Sequence, residues 1–419
     1  MTDVLDELHW RGLVAQSTDE AALREALAAG PVTYYCGFDP TAPSLHHGHL
    51  VQLILLRHLQ QAGHRAVALV GGATGMIGDP RESGERTLNT KEVVAEWTER
   101  LKAQVSRFLD FEGDNPAVLV NNLDWIDGIS AIDLLRDIGK HYRLGTMLAK
   151  DTVARRLRSE DGISFTEFSY QILQGIDFLE LYRRHSVTLQ TGGNDQWGNL
   201  LSGVELVRKS EGSAVHALTT PLITKADGTK FGKTEGGAVW LAPDLMSPYA
   251  FYQFWLNQAD DDVVRFLKIF TFRSRVEIEE LEREVAERPF ARVAQRTLAE
   301  DVTTLVHGAE ATAAVIAASQ ALFGRGELGG LDADTLAGAT EELPRATVQV
   351  GGAVLDAFVD SGLVPSRGAG RRAISEGGAY VNNVKVTDED AVLTADQLLQ
   401  GRYAILRRGK KTLAVAVAE

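Results

Sequence analysis

The chain has 419 residues, with 43 Lys+Arg against 57 Asp+Glu and a formal charge of −14; 44% of it is hydrophobic and 24% charged. That is enough apolar material to bury cores, which excludes a disordered acidic polymer, and the length suits about two to four domains of roughly 100–200 residues. The single cysteine, Cys36, excludes an intrachain disulfide framework and a cysteine-only zinc site. The acidic balance weighs against indiscriminate nucleic-acid binding but does not speak to a local basic surface.

Residues 1–30 read as an amphipathic helical lead-in, with Leu5, Leu8 and Leu13 followed by a helix stopped at Gly30-Pro31. The first residues are acidic and polar, and no apolar run approaches the ~18 residues that span a bilayer. The expectation is a cytoplasmic protein with no membrane partner. The pattern then alternates. Strand-like runs at 32–38, 66–70, 117–121, 187–190 and 217–224 are separated by helical stretches such as 49–61, 93–110 and 129–140. Strands joined by helix-length connections predict a parallel, doubly wound sheet in an α/β domain.

The rhythm changes after about Pro248, where 263–269, 276–286 and 289–306 read as successive helices. Residues 324–346 are rich in Gly, Ala and acidic residues and read as a weakly specified connector. A small third unit begins near Val350, with a helix at 354–360, a Gly- and Arg-rich segment, and strands at 379–381, 403–406 and 413–417. The expected division is 1–247, 248–323, a connector at 324–349, and 350–419. Between residues 362 and 411, nine basic residues outnumber five acidic ones. Such a module suits a bound polyanion; a solvated face with chance clustering fits equally.

Five clusters carry possible chemistry. Tyr35 to Thr41 and Leu45 to His49 mark a strand end, a turn and a helix start. A helix start presents free N–H groups and attracts phosphate, and the histidines can donate to phosphate oxygens as their charge grows. A satisfied surface cluster and a zinc site are the other readings of three histidines; against zinc, neither HExxH nor paired cysteines accompany them. Lys225 to Thr234 is a cationic loop able to close over pyrophosphate, or a plain lysine-bearing turn. Its Gly232-Lys233-Thr234 imitates the end of a P-loop, but Asp227 stands where the first glycine is required. Gly71 to Pro80 follows a strand and is not a dinucleotide fingerprint. Tyr170, Gln174 and Asp177 share one helix face, either solvated or lining a pocket. Gln190 to Trp197 sets glycines and an acid at a strand end, where open sheets bind ligands.

In this order the clusters resemble the bacterial tyrosyl-tRNA synthetases, a class I aminoacyl-tRNA synthetase family. His46-His47-Gly48-His49 is similar to the family's HIGH signature, and Lys230-Phe231-Gly232-Lys233-Thr234 to its KMSKS-type loop. The stretches 165–174 and 189–199 are similar too, and 352–419 resembles the family's C-terminal RNA-binding module.

The resemblance implies a Rossmann-like doubly wound sheet, an α-helical anticodon-side domain and a small α+β RNA-binding domain. It implies a homodimer that joins tyrosine to its tRNA through tyrosyl-adenylate, with ATP as substrate and Mg2+ accompanying it. It implies no dedicated protein metal site. By matching positions, Thr41 and His46 hold the γ-phosphate, His49 lies against the nucleotide, and Lys230 and Lys233 clamp pyrophosphate, with Arg86 beside them. Cys36 and Asp195 match ribose contacts; Gly37, Asp39, Gly48 and Gly193 complete the ATP site. Asp79, Tyr170, Gln174 and Gln196 surround the tyrosine backbone groups, and Tyr35 with Asp177 reads its hydroxyl. Arg371, Arg372, Lys385, Arg407 and Arg408 are the expected RNA contacts.

Two departures stand out. The lysine that the family carries after Asp79-Pro80 is missing, leaving Arg81 as a substitute of different geometry. His47 replaces an apolar signature residue, and the sequence gives it no role.

Overall fold

The computed structural model describes residues 3–419 apart from 82–83, 85–86, 230, 235–236, 325 and 410–411, and apart from the side chains of Asp151, Lys233 and Thr234. By contact, residues 1–245 with 258–298 form one compact unit and 246–257 with 299–419 a second.

Among the described residues of the first unit, six strands make one sheet: β1 (Gln16–Ser17), β2 (Thr33–Phe38), β3 (Arg65–Val70), β4 (Val118–Asn121), β5 (Val187–Gly193) and β6 (His216–Thr220). Their order is β1-β6-β5-β2-β3-β4. The strands β2 to β6 pair in parallel, as their apolar runs predict, and β1 adds an antiparallel edge from the lead-in. The order runs outward from the centre in both directions, so it reverses between β2 and β5. At such a switch point the connections leave on opposite faces and a crevice opens at the strand carboxyl ends.

Helix α1 (His47–Gln61) covers one face. Its buried residues, including Leu50, Leu53, Ile54, Leu55 and Leu56, lie nearly all round it. It packs on β2 and β3 and also against helices Val4–Arg11 and Asp260–Phe270, so a one-sided apolar stripe would not suffice. Helices α2 (Phe165–His185) and α3 (Trp197–Glu211) cover the other face, where Tyr35, Val67, Leu69, Phe178, Leu179 and Leu206 share a core. Residues 129–140, expected as one helix, are instead a short α turn, a π turn (Leu134–Ile138) and a 3-10 turn (Gly139–His141). The widened turn lets Leu134 and Ile138 both reach this core. After β6 the chain forms a two-stranded ribbon, β7 (Lys233–Thr234) with β8 (Gly237–Ala238).

The second unit has its own sheet: β9 (Arg345–Val348), β10 (Ala379–Val381), β11 (Val384–Lys385), β12 (Tyr403–Arg408) and β13 (Thr412–Ala418), in the order β11-β10-β12-β13-β9. Both faces are covered, and the strand period sorts the side chains. Ala404, Leu406, Ala414 and Ala416 face a core with Val354, Leu355, Phe358 and Ile374. The alternate residues Ile405, Leu413 and Val415 face Ala318, Leu322, Leu328, Leu331 and Leu336.

Residues 324–349, read from sequence as a connector, thus carry a helix (Ala333–Thr340) and a strand paired in parallel with β13. The structure corrects that expectation: the segment's leucines are spaced to cover the sheet. The helical stretch 248–323 is likewise divided between the two units rather than standing alone. Among the described residues no helix is long and apolar enough to cross a membrane.

Candidate active site at the switch point

The first unit's clusters meet at the carboxyl ends of β2 and β5. His46 is the N-cap of α1. Its Nδ1 accepts from the Gly48 N–H at 3.0 Å, and its own N–H donates to His49 Nδ1 at 3.1 Å. This reciprocal cap sets both tautomers: with Nδ1 accepting, Nε2 carries the proton on each neutral ring. The ring centroids lie 4.1 Å apart. Burial, then repulsion from His46 and His47, holds His49 well below the usual imidazole range, so it is neutral at pH 7. A Cβ on Gly48 would lie 2.9 Å from His46 Cε1; the glycine makes room first for that ring.

The lysine loop comes to the same place. His47 Nε2 donates to the Phe231 carbonyl at 3.1 Å and the His47 N–H to the Val239 carbonyl at 2.9 Å. His46 bridges Trp240 in antiparallel fashion. Of the expected pyrophosphate contacts, Arg86 and Lys230 lie outside the described residues, as does the side chain of Lys233, whose backbone pairs with Ala238. Thr41 is exposed in the turn after β2 and its N–H donates to the Asp39 carbonyl at 2.8 Å.

Behind the turn runs a buried chain of hydrogen bonds. Tyr170 Oη donates to Asp39 Oδ2 at 2.8 Å and Thr74 Oγ1 to Asp39 Oδ1 at 2.6 Å. Asn122 Nδ2 donates to Thr74 Oγ1 at 2.9 Å and to Asp177 Oδ2 at 3.1 Å, and Trp125 Nε1 donates to Asp177 Oδ1 at 3.0 Å. The helix face bearing Tyr170, Gln174 and Asp177 therefore points inward. Burial raises Asp177 to about 8 against the pull of Asn122 and Trp125, so the acid is mostly protonated at pH 7. The Tyr35 hydroxyl and Gln174 Oε1 are buried with no hydrogen-bond partner among the described residues. Burial first, then the charge of Asp177, pushes the Tyr35 phenol well up. Polar atoms left this way cost free energy unless a ligand completes them.

A second group joins β5 to the segment after β3. Asp79 accepts from Gln196 Nε2 and Asn199 Nδ2, both at 2.9 Å. Lys150 Nζ reaches Asn199 Oδ1 at 3.4 Å, and burial lowers this ammonium to about 8 although Asp79 opposes the shift. Asp195 is exposed beyond β5, and a Cβ on Gly193 would lie 2.5 Å from its Oδ1. Cys36 is buried in β2, its thiol pushed up to about 12 by burial, while Gly37 beside it is exposed. Arg81 is exposed, and its carbonyl accepts from Arg156 Nη1 at 3.1 Å.

Sequence reading missed Asn122, Trp125, Thr74 and Lys150. Asn122 was the findable one: a polar residue immediately after β4, at a strand carboxyl end.

In the second unit, Lys385, Tyr380 and Arg407 occupy one row across β11, β10 and β12. The Arg407 guanidinium lies 3.9 Å from the Tyr380 ring centroid. Arg371 and Arg372 are exposed on helix Arg367–Ser375, with Arg371 Nε 3.5 Å from Glu389. Arg408 Nη1 reaches the Leu363 carbonyl at 3.5 Å.

Residues 27–324 match the family described as tRNA synthetases class I (W and Y), and residues 335–416 the tyrosine–tRNA ligase SYY-like C-terminal domain. The tyrosine–tRNA ligase of Streptomyces coelicolor is 66% identical over 99% of this chain and 98% of its own, and that of Acidothermus cellulolyticus 60% identical over 99% of each. A C-terminally truncated mitochondrial tyrosyl-tRNA synthetase from Coccidioides posadasii superposes with a TM-score of 0.67 at 34% identity, covering 75% of this chain and 91% of that one. With matches that run through both units, the chain belongs to the class I tRNA synthetase family, among its tyrosine–tRNA ligases.

Proposed function

We propose that the residues gathered at the switch point divide the work of tyrosine–tRNA ligation as follows. A tyrosine carboxylate oxygen attacks the α-phosphorus of ATP, the bond to pyrophosphate breaks, and tyrosyl-adenylate remains. The terminal ribose of the tRNA then attacks the adenylate carbonyl and AMP leaves. Phosphoryl transfer of this kind needs positioning and charge stabilisation more than covalent help. The Nε2 donors of His46 and His49 face the phosphates, with Thr41, Lys230, Lys233 and Arg86 on the leaving pyrophosphate. Cys36, Gly37, Gly48, Gly193 and Asp195 receive the nucleoside. Asp79, Tyr170, Gln174 and Gln196 hold the amino acid's backbone groups, and Asp39 orients Tyr170. The observation that carries this reading is the Tyr35 hydroxyl, buried without a partner among the described residues, beside an Asp177 that Asn122 and Trp125 already hold.

Magnesium enters with ATP as its counterion. Among the described residues there is no group of three or more His, Cys, Asp or Glu that could hold a metal ion. A cytoplasmic homodimer completes the reading. Its support is the exposed apolar set Ile132, Leu135, Leu144 and Leu148.

His46→Ala tests the phosphate assignment. The ATP–pyrophosphate exchange rate should fall by about 10²-fold, the scale of one lost donor to developing charge, while tyrosine affinity stays within about twofold. Equal losses in both contradict the assignment.

The row of Lys385, Tyr380 and Arg407, with Arg371, Arg372 and Arg408, is read as the tRNA backbone contact of the second unit. Replacing Arg371, Arg372 and Lys385 by Gln should lower tRNA charging relative to adenylate formation. It should also flatten the salt dependence of tRNA binding by about one unit of slope per lost phosphate contact. An unchanged slope rejects the surface.

A further inference from the structure

We propose that His47 is a positioning residue that docks the lysine loop onto the start of α1. Its Nε2 lies 3.1 Å from the Phe231 carbonyl oxygen. A carbonyl can only accept, so this nitrogen carries the proton. The imidazole meets the Phe231 ring edge-on, with centroids 5.3 Å apart at 88°. Phe231 is 1% exposed and packs on Phe266 at 4.4 Å and Phe270 at 5.9 Å, so the accepting carbonyl is on a fixed residue.

The next residue is shaped to the same ring. Gly232 has φ +79°, and a Cβ there would lie 1.9 Å from His47 Cε1. Glycine is needed at this point both by the backbone and by the imidazole. The main-chain link from His47 to Val239 is open to any residue but proline at this position. The side-chain bond is not: the apolar residue usual in the signature could pack against Phe231 but could not hold its carbonyl. Lys230 and Lys233 directly flank the anchored Phe231-Gly232 pair in sequence. A tether at that pair therefore limits where both ammonium groups can go when pyrophosphate forms, which is a transition-state contribution rather than a ground-state one.

His47→Leu keeps apolar contact and deletes the donor. It should lower kcat of ATP–pyrophosphate exchange about tenfold, the scale of one hydrogen bond, with the tyrosine dissociation constant unchanged within about twofold. His47→Gln restores an N–H donor and should return kcat to within about threefold of the unsubstituted protein. Gly232→Ala should impair exchange strongly, and adding His47→Ala should recover part of that loss because the colliding ring is gone. Unsubstituted kcat in His47→Leu, a loss of tyrosine affinity parallel to the loss of kcat, or His47→Gln no better than His47→Leu would each overturn the proposal. A double variant no better than Gly232→Ala alone would do the same.

Discussion

Tyr35→Phe is expected to reduce the preference for tyrosine over phenylalanine in ATP–pyrophosphate exchange by about tenfold, and Asp177→Asn by about 10²-fold. The loss falls on tyrosine. Phenylalanine brings no hydroxyl to either group, so its binding gains nothing from them in any case. Asp177 has the larger expected effect because two donors already fix it: an amide there cannot accept from Asn122, accept from Trp125 and serve the phenol in the same geometry.

The same carboxyl gives a pH signature in the free protein. Its folded value, about 8, lies above the ordinary aspartate range, so the folded state retains a proton that the unfolded chain releases from about pH 4 upward. Its contribution to stability is fully present below about pH 4, is lost progressively as pH climbs to about 8, and levels off beyond. Asp177→Asn should flatten that part of the denaturation profile. A preference for tyrosine within twofold of the unsubstituted value in both variants would remove the pair from the specificity argument.

Arg156→Ala is expected to destabilise the first unit by about 3–5 kcal/mol, because it strands a buried carboxylate. Arg156 and Glu167 are each 1% exposed and paired at 2.8 Å. The same guanidinium donates to the Gly162 carbonyl at 2.9 Å and to that of Arg81 at 3.1 Å. It thus ties the start of α2 to the stretch after Asp79-Pro80. At roughly 2–4 °C per kcal/mol for a unit of this size, the melting transition should drop by about 10 °C. Replacing the pair together, Arg156→Met with Glu167→Leu, should recover most of the loss, since exchanging a buried ion pair for apolar residues is often neutral. A drop under about 2 °C in Arg156→Ala would show that water reaches the pair.

What the sequence made legible follows from how locally each feature is determined. The runs at β2 to β6 are apolar and bounded by helical spacing, so their strand character and parallel pairing could be read along the chain, though not their order in the sheet. The inward face of Tyr170, Gln174 and Asp177 could be narrowed to two readings, and burial chose one. The partnerships that tune the site could not be read this way, even where one member, Asn122, stands at a strand carboxyl end. Asn122 and Trp125 are more than fifty residues from Asp177 in sequence, and only the folded chain brings them to it. Arg156 and Glu167 are ordinary charged residues on their own helices until packing buries both. The leucines of 328–336 lie in a Gly- and Ala-rich stretch whose composition resembles a linker; their periodicity matters only once the outer face of β12 and β13 needs a cover. The sequence gives His47 no role because its partner, Phe231, is 184 residues away.

The most direct measurement is ATP–pyrophosphate exchange by the unsubstituted protein with tyrosine, phenylalanine and tryptophan in turn. A phenol slot built on Tyr35 and Asp177 beside a phosphate-facing helix start predicts exchange driven by tyrosine, with phenylalanine weaker by about 10²-fold or more and tryptophan inert. Comparable exchange with phenylalanine or tryptophan, or none with tyrosine, would contradict it.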